Sequence, residues 1–322
     1  MMKVISLVMR TALWYFFESV LYTECIAGII INLLIVAAIF LKWKAAKSLS
    51  IGDKILSSLA TSRSVFLVHV FITYLSPLLD LWNYTNIQVL ATLLVVMMFL
   101  HSTNLWFATI LCVFYCVKVT NYSWKFLIFL KTKISTLVSG FLLASLLISV
   151  SFSLQFGWGV YKIEMENLTN VSKENTSHLS AVVYENSPKL FQMFFICSCP
   201  PFLIFLVADC LLLHSLWMHI RRMRSSGSGF RSPNLESHFS VIKSMMVFLV
   251  LQVIYFICIG LSMSDFVYTS LNAFWISMIT TCSNPSLHSL YIISSSHGLR
   301  KTFLSMFLHV WFKVIGCRDA RT

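Results

Sequence analysis

Polar side chains interrupt several of the long apolar stretches of this sequence. Arg63 and His69 lie inside the stretch LATSRSVFLVHVF (59–71), and His101 and Asn104 lie inside a later one. Such groups can carry a charge, transfer a proton or form hydrogen bonds. Their spacing matches no metal-ligand, phosphate-binding or nucleophile motif and pairs no two carboxylates for acid–base work. We therefore expect no enzyme, no metal and no cofactor, and we expect a structural or switching role for these residues instead.

The composition places this chain in a membrane. Hydrophobic residues make up 58% of its 322 residues and charged residues only 11%, and the mean hydropathy is +0.81. A helix needs roughly 20 apolar residues to cross the hydrocarbon core, and seven stretches reach that length. We therefore predict an all-α integral membrane protein, a single seven-helix bundle over residues 1–322. The predicted spans are 20–41, 55–79, 87–117, 134–156, 190–217, 241–263 and 266–293, followed by a tail at 298–322.

Lysine and arginine are unequally divided between the two sets of predicted loops. The loops after spans one, three and five and the tail hold 17 of these residues, and the N-terminus and the other loops hold five. The positive-inside rule then places the N-terminus outside the plasma membrane and the C-terminus in the cytoplasm. The net charge of +12 is expected to lie at the inner leaflet and to attract anionic lipids, not nucleic acid. The first ten residues show no signal-peptide cleavage site.

The longest polar segment, 157–189, lies between predicted spans four and five. It carries glycosylation sequons at Asn167, Asn170 and Asn175, on the side that the loop charges place outside. We predict N-glycosylation at these three residues. The nine cysteines all fall in predicted spans or in the tail, so the sequence predicts no extracellular disulfide framework.

The arginine at the centre of predicted span two needs partners inside the bundle. Arg63 lies roughly 12 Å from the start of that span, and exposing its charge to lipid costs about 2.5–3.5 kcal/mol. Glu24, Gly28 and Asn32 recur at intervals of four and share one face of span one, where Gly28 admits a close neighbour. Asn32 and Ser289 are among the acceptors that we expect to lie near Arg63.

Apolar residues recur at spacings of three and four after the last span, from Leu299 to Val314, among basic residues. Such a stripe on a basic segment is typical of a helix that lies in the membrane interface. We therefore predict a short amphipathic C-terminal helix.

Five strings along the chain resemble those of one known family. They are Glu24-x3-Gly28-x3-Asn32, LSIGDKILSSLATSRS (49–64), LWFATILCVFYCVKVTNYS (105–123), PPFLIFLVADCLLLHSLWMHIRRM (200–223) and NPSLHSLYII (284–293). Together they resemble the type 2 (bitter) taste receptors, which are seven-helix G-protein-coupled receptors. The resemblance covers nearly the whole chain. It implies a receptor that binds small bitter molecules in the outer half of the bundle and activates a heterotrimeric, gustducin-like G protein.

The resemblance also implies roles for individual residues. The family's span-two arginine joins spans one, two and seven, so Arg63 is expected to contact Asn32 and the region of His288 and Ser289, and to switch between two arrangements. The implied ligand-binding residues are Met97, His101, Asn104, Tyr255 and Met278. Met97 and His101 stand where many members have tryptophan and asparagine, which makes the pocket atypical.

The inner ends of spans three, five and six are the expected contact with the G protein. The residues that we assign to this contact are Lys118, His219, Arg221, Arg222 and Lys243. The loop between spans five and six, 219–239, contains Ser, Gly and Pro among its basic residues, and we expect it to be mobile.

Two other classes stay open on the sequence. The vomeronasal type 1 pheromone receptors are a related seven-helix family, although the strings LWFAT (105–109) and His288-Ser289 favour the taste receptors. A transporter or channel would need polar residues on consecutive turns, whereas those found here are isolated. Small agonists, the G protein and membrane lipids are the expected partners, and homo- or hetero-oligomers stay open.

Overall fold

Seven long helices make up the described chain. The computed structural model describes residues 2–75, 87–120, 125–170, 187–225, 233–262, 271–295 and 299–304. In these residues the regular structure is helical, and residues 299–304 form a further short helical segment. The long helices are α1 (Met2–Ala46), α2 (Ile51–Leu75), α3 (Ile87–Val119), α4 (Lys125–Asn170), α5 (Ser187–Ser225), α6 (Pro233–Ser262) and α7 (Leu271–Ser295).

Most of these helices are apolar enough to cross a membrane. Five described stretches are both long enough and apolar enough to cross a membrane, and α6 contains a shorter apolar stretch, Met245–Leu261. Helix α7 has 25 residues, which corresponds to about 37 Å, but serines, an asparagine and a histidine lower its hydropathy. Helix α7 contributes several of the polar side chains that face the bundle interior, as shown below. The five stretches are Ala12–Ala46, Ile51–Leu75, Ala91–Val119, Ile128–Gly159 and Phe191–Met218.

The helices pack into a closed bundle. Helix α1 packs against α2 and α7, α3 packs against α2, α4 and α5, and α6 packs against α5 and α7. Buried apolar side chains of the described residues form four clusters, the largest of which joins α2, α3, α4, α5 and α6. Polar side chains are also buried in the interior, among them Arg63, His101, Asn104 and His288. We refer to these interior polar groups as the polar layer.

One end of the bundle is rich in lysine. It contains the C-terminal ends of α1, α3, α5 and α7 and the N-terminal ends of α2, α4 and α6, and we call it the basic end. Here Lys42 forms an ion pair with Asp53 at 2.5 Å, and Ser50 caps α2 by accepting a hydrogen bond from the backbone N–H of Asp53 at 3.1 Å. These contacts fix the turn between α1 and α2.

The helices extend well beyond the predicted spans. Helix α1 begins at Met2 instead of residue 20, and α4 covers Lys125–Asn170 instead of 134–156. The segment 157–170, predicted as part of a polar loop, is therefore helical. The prediction was wrong here because hydropathy marks only the part of a helix that lipid surrounds, whereas a nucleated helix propagates into polar sequence. Asn167 and Asn170 lie in the last turn of α4, and Asn175 lies outside the described residues.

The predicted loop between spans five and six was also too long. Helix α5 continues to Ser225 and α6 begins at Pro233, so most of the segment 219–239 is helical, and 226–232 lies outside the described residues. Pro233 occupies the first position of α6, where a proline costs no backbone hydrogen bond. Of the predicted C-terminal helix, 299–304 is helical and the remainder lies outside the described residues.

Prolines lie inside two of the helices, Pro200 and Pro201 in α5 and Pro285 in α7. A proline removes one backbone hydrogen bond and bends the helix locally. The carbonyl of Pro201 accepts a hydrogen bond from Thr109 Oγ1 of α3 at 2.9 Å. This contact joins the proline-containing part of α5 to α3.

Gly28, the single glycine of α1, is expected to tolerate no larger side chain. A Cβ built on it would lie 2.1 Å from Ser286 Oγ and 2.6 Å from Leu67 Cδ1, and overpacking of this kind costs about 1–3 kcal/mol. Gly28→Ala should therefore lower the thermal unfolding midpoint of the purified receptor in detergent. Gly140→Ala is the control, because nothing lies within 4 Å of a Cβ there, and it should raise the midpoint. Equal midpoints for both variants would contradict this packing.

Candidate functional site

Arg63 lies at the centre of the polar layer, with 3% of its surface exposed. Its Nη1 donates to Ser289 Oγ at 3.1 Å, and its Nη2 donates to His288 Nδ1 at 2.7 Å. An arginine can only donate, so His288 accepts at Nδ1 and is neutral, with its proton on Nε2. The cation of α2 is thus held by two neutral side chains of α7.

A second set of hydrogen bonds extends this contact to α1. Ser289 donates to Asn32 Oδ1 at 2.7 Å, and Asn32 Nδ2 donates to the carbonyl oxygen of Gly28 at 2.8 Å. In this series of hydrogen bonds, each group therefore donates to the next one, from Arg63 through Ser289 and Asn32 to Gly28. Hydrogen bonds in such a chain polarise one another in a low dielectric. Arg63 reaches Asn32 through Ser289, and the direct contact of these two side chains that the resemblance implied is not among the hydrogen bonds of the described residues.

Glu24 has a different partner on the same face of α1. Its Oε1 accepts a hydrogen bond from Ser283 Oγ of α7 at 2.6 Å, and its Oε2 is buried without a partner in the described structure. Two side-chain hydrogen bonds of the described residues thus join α1 to α7, one at Glu24 and one at Asn32.

His288 also connects the network to α6. Its ring stacks on Phe248, with centroids 3.9 Å apart and an interplanar angle of 7°. It also borders the large cavity described below. Any movement of Arg63 relative to α7 therefore affects a side chain that lies against α6 and faces this cavity.

A second network surrounds His101 of α3, which is 1% exposed. Its Nδ1 is hydrogen-bonded to the hydroxyl of Tyr255 at 2.8 Å and its Nε2 to Ser198 Oγ at 3.2 Å. The ring of Phe194 lies with its centroid 5.3 Å away. Three helices, α3, α5 and α6, are thus joined at one histidine.

The two networks meet at a small cavity. Asn104, one turn from His101, accepts a hydrogen bond from Ser62 of α2 at 2.6 Å. The cavity has a volume of about 10 Å³, which suits a single water-sized particle. Its lining combines residues of both networks with two further amide side chains and two apolar ones: Arg63, Phe66, Asn104, Gln252, Tyr255, Asn284 and Pro285.

The two methionines assigned to ligand binding differ in their surroundings. Neither belongs to one of the four apolar clusters of the described residues: Met278 is buried, with 8% exposed, and Met97 is half-buried. Its neighbour Met98 is the one that packs in a cluster with Phe194 and Tyr255. Helical spacing alone does not separate the two neighbours, because Met97 lies four residues and Met98 three residues before His101, and both spacings place a side chain near the same face.

Ser198 and Gln252 are two polar neighbours that the sequence reasoning missed. Ser198 lies in the apolar string ICSCPPF and is 3% exposed, and Gln252 is the buried amide of α6. A lone serine in a span has no sequence signal of its own, but a glutamine there is costly enough to have been noticed.

A large cavity of about 950 Å³ occupies the basic end. Its walls are mostly apolar and come from α1, α2, α3, α4, α5, α6 and α7. Lys118 borders it and lies 5.8 Å from the ring centroid of Phe114. Arg221 and Lys243 are exposed on α5 and α6, while for His219 and Arg222 only the helical backbone is described.

Comparison with known proteins identifies the family. Residues 9–311 match the sequence profile of the family Taste receptor protein (TAS2R). The chain belongs to the type 2 taste receptors. It is 30% identical over 286 residues to taste receptor type 2 member 40 of Gallus gallus, covering 89% of this chain and 92% of that protein. It is 30% identical over 293 residues to member 9 of Homo sapiens (89% and 91%), and 29% identical over 311 residues to member 102 of Mus musculus (96% and 92%).

Membership confirms the resemblance seen in the sequence and makes this chain a multi-pass membrane protein with the seven-helix receptor fold. It favours the taste receptor over the pheromone receptor, transporter and channel alternatives. The type 2 taste receptors couple small-molecule ligands to a G protein, which is a receptor function and not an enzymatic one.

Ser289→Ala is expected to lower the thermal unfolding midpoint of this taste receptor. Removal of the hydroxyl leaves a donor of Arg63 and an acceptor of Asn32 unsatisfied in the interior, at about 1–3 kcal/mol for each buried group. Ser294→Ala is a matched control, because the Ser294 hydroxyl is exposed and, among the described residues, donates to the carbonyl of Tyr291 of its own helix at 2.9 Å. The midpoints of both variants are measured in detergent, and equal losses would contradict a specific role for Ser289.

Proposed function

We propose that this receptor binds small bitter molecules around His101 and Tyr255, and that Arg63 and His288 relay binding to a G-protein site at the basic end. The observation that carries this proposal is the order of contacts. Tyr255 is bonded to His101 and borders the same small cavity as Arg63. Arg63 is bonded to His288, which borders the large cavity.

The basic end is proposed to face the cytoplasm. Its lysines would then lie near the anionic headgroups of the inner leaflet, which attract basic segments. The N-terminus and the sequons at Asn167, Asn170 and Asn175 would lie outside, where glycans are added. Membrane lipids are expected partners in this arrangement.

The proposed ligand site is formed by Met97, His101, Asn104, Tyr255 and Met278. Support for it comes from the buried polar groups of His101 and Tyr255, which lie among aromatic and methionine side chains. An apolar wall with few polar groups suits small amphiphilic molecules. An agonist with a hydroxyl or amide would compete with Ser198 or Tyr255 for the imidazole of His101, and so would alter the join between α3, α5 and α6.

The proposed G-protein site combines the large cavity with the basic residues around it. A groove of this volume with mostly apolar walls suits the apolar face of an inserted helix. Lys118, His219, Arg221, Arg222 and Lys243 would contact the acidic or polar surface of a gustducin-like α subunit. Two bundle arrangements with different widths of this cavity would couple the sites, and agonist affinity for one of them would shift the population.

His101→Asn is expected to change the agonist profile without removing the receptor from the surface. Asparagine can keep one of the two hydrogen bonds of His101 but leaves space beside Phe194. The measurement is calcium imaging of cells that express the receptor with a gustducin-tailed Gα and are challenged with a panel of bitter compounds. Ser151→Ala is the control, because within the described part of the chain its exposed hydroxyl donates to the carbonyl of Leu147 of its own helix. An unchanged profile for His101→Asn would contradict the proposed ligand site.

Charge reversal at the basic end is expected to reduce the maximal response while leaving the agonist concentration dependence nearly unchanged. The variant is Lys118→Glu with Arg221→Glu, and the control is Lys125→Glu, an exposed lysine at the start of α4 outside the proposed contact. Repulsion should weaken the affinity for the G protein at least tenfold, which corresponds to about 1.4 kcal/mol, and the maximal response should fall for that reason. Equal maxima for the variant and the control at matched surface expression would argue against this contact.

A further inference from the structure

Arg63 carries a buried charge that its partners do not balance. Its hydrogen-bond partners, Ser289 and His288, are both neutral. Within the described part of the chain, the ion pair found is the one between Lys42 and Asp53 at the basic end. Glu24 is bonded to Ser283 instead. A buried cation without a counter-charge is costly, because water no longer solvates it.

The small cavity lies directly beside this cation. Arg63 forms part of its wall, together with the amide side chains of Asn104 and Gln252 and the hydroxyl of Tyr255. Asn104 uses its oxygen to accept from Ser62, so its NH₂ is the group that it can offer to the cavity. Gln252 is 3% exposed. The wall also includes Asn284, whose NH₂ donates to the carbonyl of Leu251, and the Tyr255 hydroxyl is shared with His101. It therefore combines one permanent positive charge with neutral polar groups, of which the amides of Asn104 and Gln252 can donate.

We infer that this cavity binds a single monatomic anion of the chloride class. The positive charge of Arg63 excludes a cation, and the volume of about 10 Å³ excludes carboxylates, sulfate and phosphate. Amide and hydroxyl donors around a monatomic anion replace its hydration shell. The ion would neutralise Arg63 and would join α2, α3 and α6 at the point where the two hydrogen-bond networks meet.

Anion binding to the folded state raises the stability by mass action. The thermal unfolding midpoint of the purified full-length receptor in detergent should therefore rise with chloride concentration and reach a plateau. Ionic strength is kept constant by replacing sodium chloride with sodium gluconate. Bromide should substitute for chloride, and sulfate should not.

Two substitutions at Gln252 test whether the ion binds in this cavity. Gln252→Glu puts a carboxylate beside Arg63, so the tethered charge should make the midpoint independent of chloride. Gln252→Met removes one donor at similar volume, and the half-saturating chloride concentration should rise about tenfold, as expected for one hydrogen bond to a charged group. Gln88→Glu is the matched control, because Gln88 is exposed near the start of α3, and it should keep the chloride dependence of the parent.

Two results would overturn the inference. If chloride and gluconate give the same midpoint in the parent receptor, the cavity holds water only. If Gln252→Met keeps the parent's half-saturation, chloride binds elsewhere, and this variant decides the question even if Gln252→Glu fails to fold. No agonist is used, so failure here leaves the proposed ligand and G-protein sites unaffected.

Discussion

The guanidinium of Arg63 is the group that the packing of three helices has to satisfy. A cation in the interior of a membrane bundle is tolerated only where other helices supply acceptors. Here α7 supplies Ser289 and His288 directly, and α1 supplies Asn32 through Ser289. The close approach of α1 at Gly28 follows from the same requirement. Because the acceptors are neutral, no single one dominates, and the cation can be shared differently when the helices move.

The hydrogen-bond networks of His101 and of Arg63 are not joined by a continuous set of hydrogen bonds. They are coupled because residues of both networks line one cavity. His101 and Tyr255 join α3, α5 and α6, whereas Arg63 joins α2 to α7. Both sets border the same small cavity. The stacking of His288 on Phe248 then carries a change at Arg63 to α6 and to the basic end. A receptor organised in this way needs only small shifts of packed rings to pass a signal over several helical turns.

The seven-helix fold and the position of Arg63 could be predicted from the sequence, because hydropathy and the cost of a buried charge are strong local signals. The lengths of α1 and α4 could not, since hydropathy does not detect a helix that continues into water. Ser198 was missed because Pro200 and Pro201 make the rotation of α5 hard to infer from helical periodicity. The choice of Met98 over Met97 depends on about 100° of helix rotation, which packing decides.

The hydrogen bonds from Arg63 to Gly28 all run from donor to acceptor in one direction, and this order determines whether they can relay a proton. A proton wire requires each member to release one proton and accept another. Arg63 stays protonated and cannot accept, and the amide of Asn32 does not exchange its hydrogen in this way. Ser289 is the one hydroxyl between them. This set of hydrogen bonds can therefore rearrange when the helices move without relaying a proton from Arg63 to Gly28.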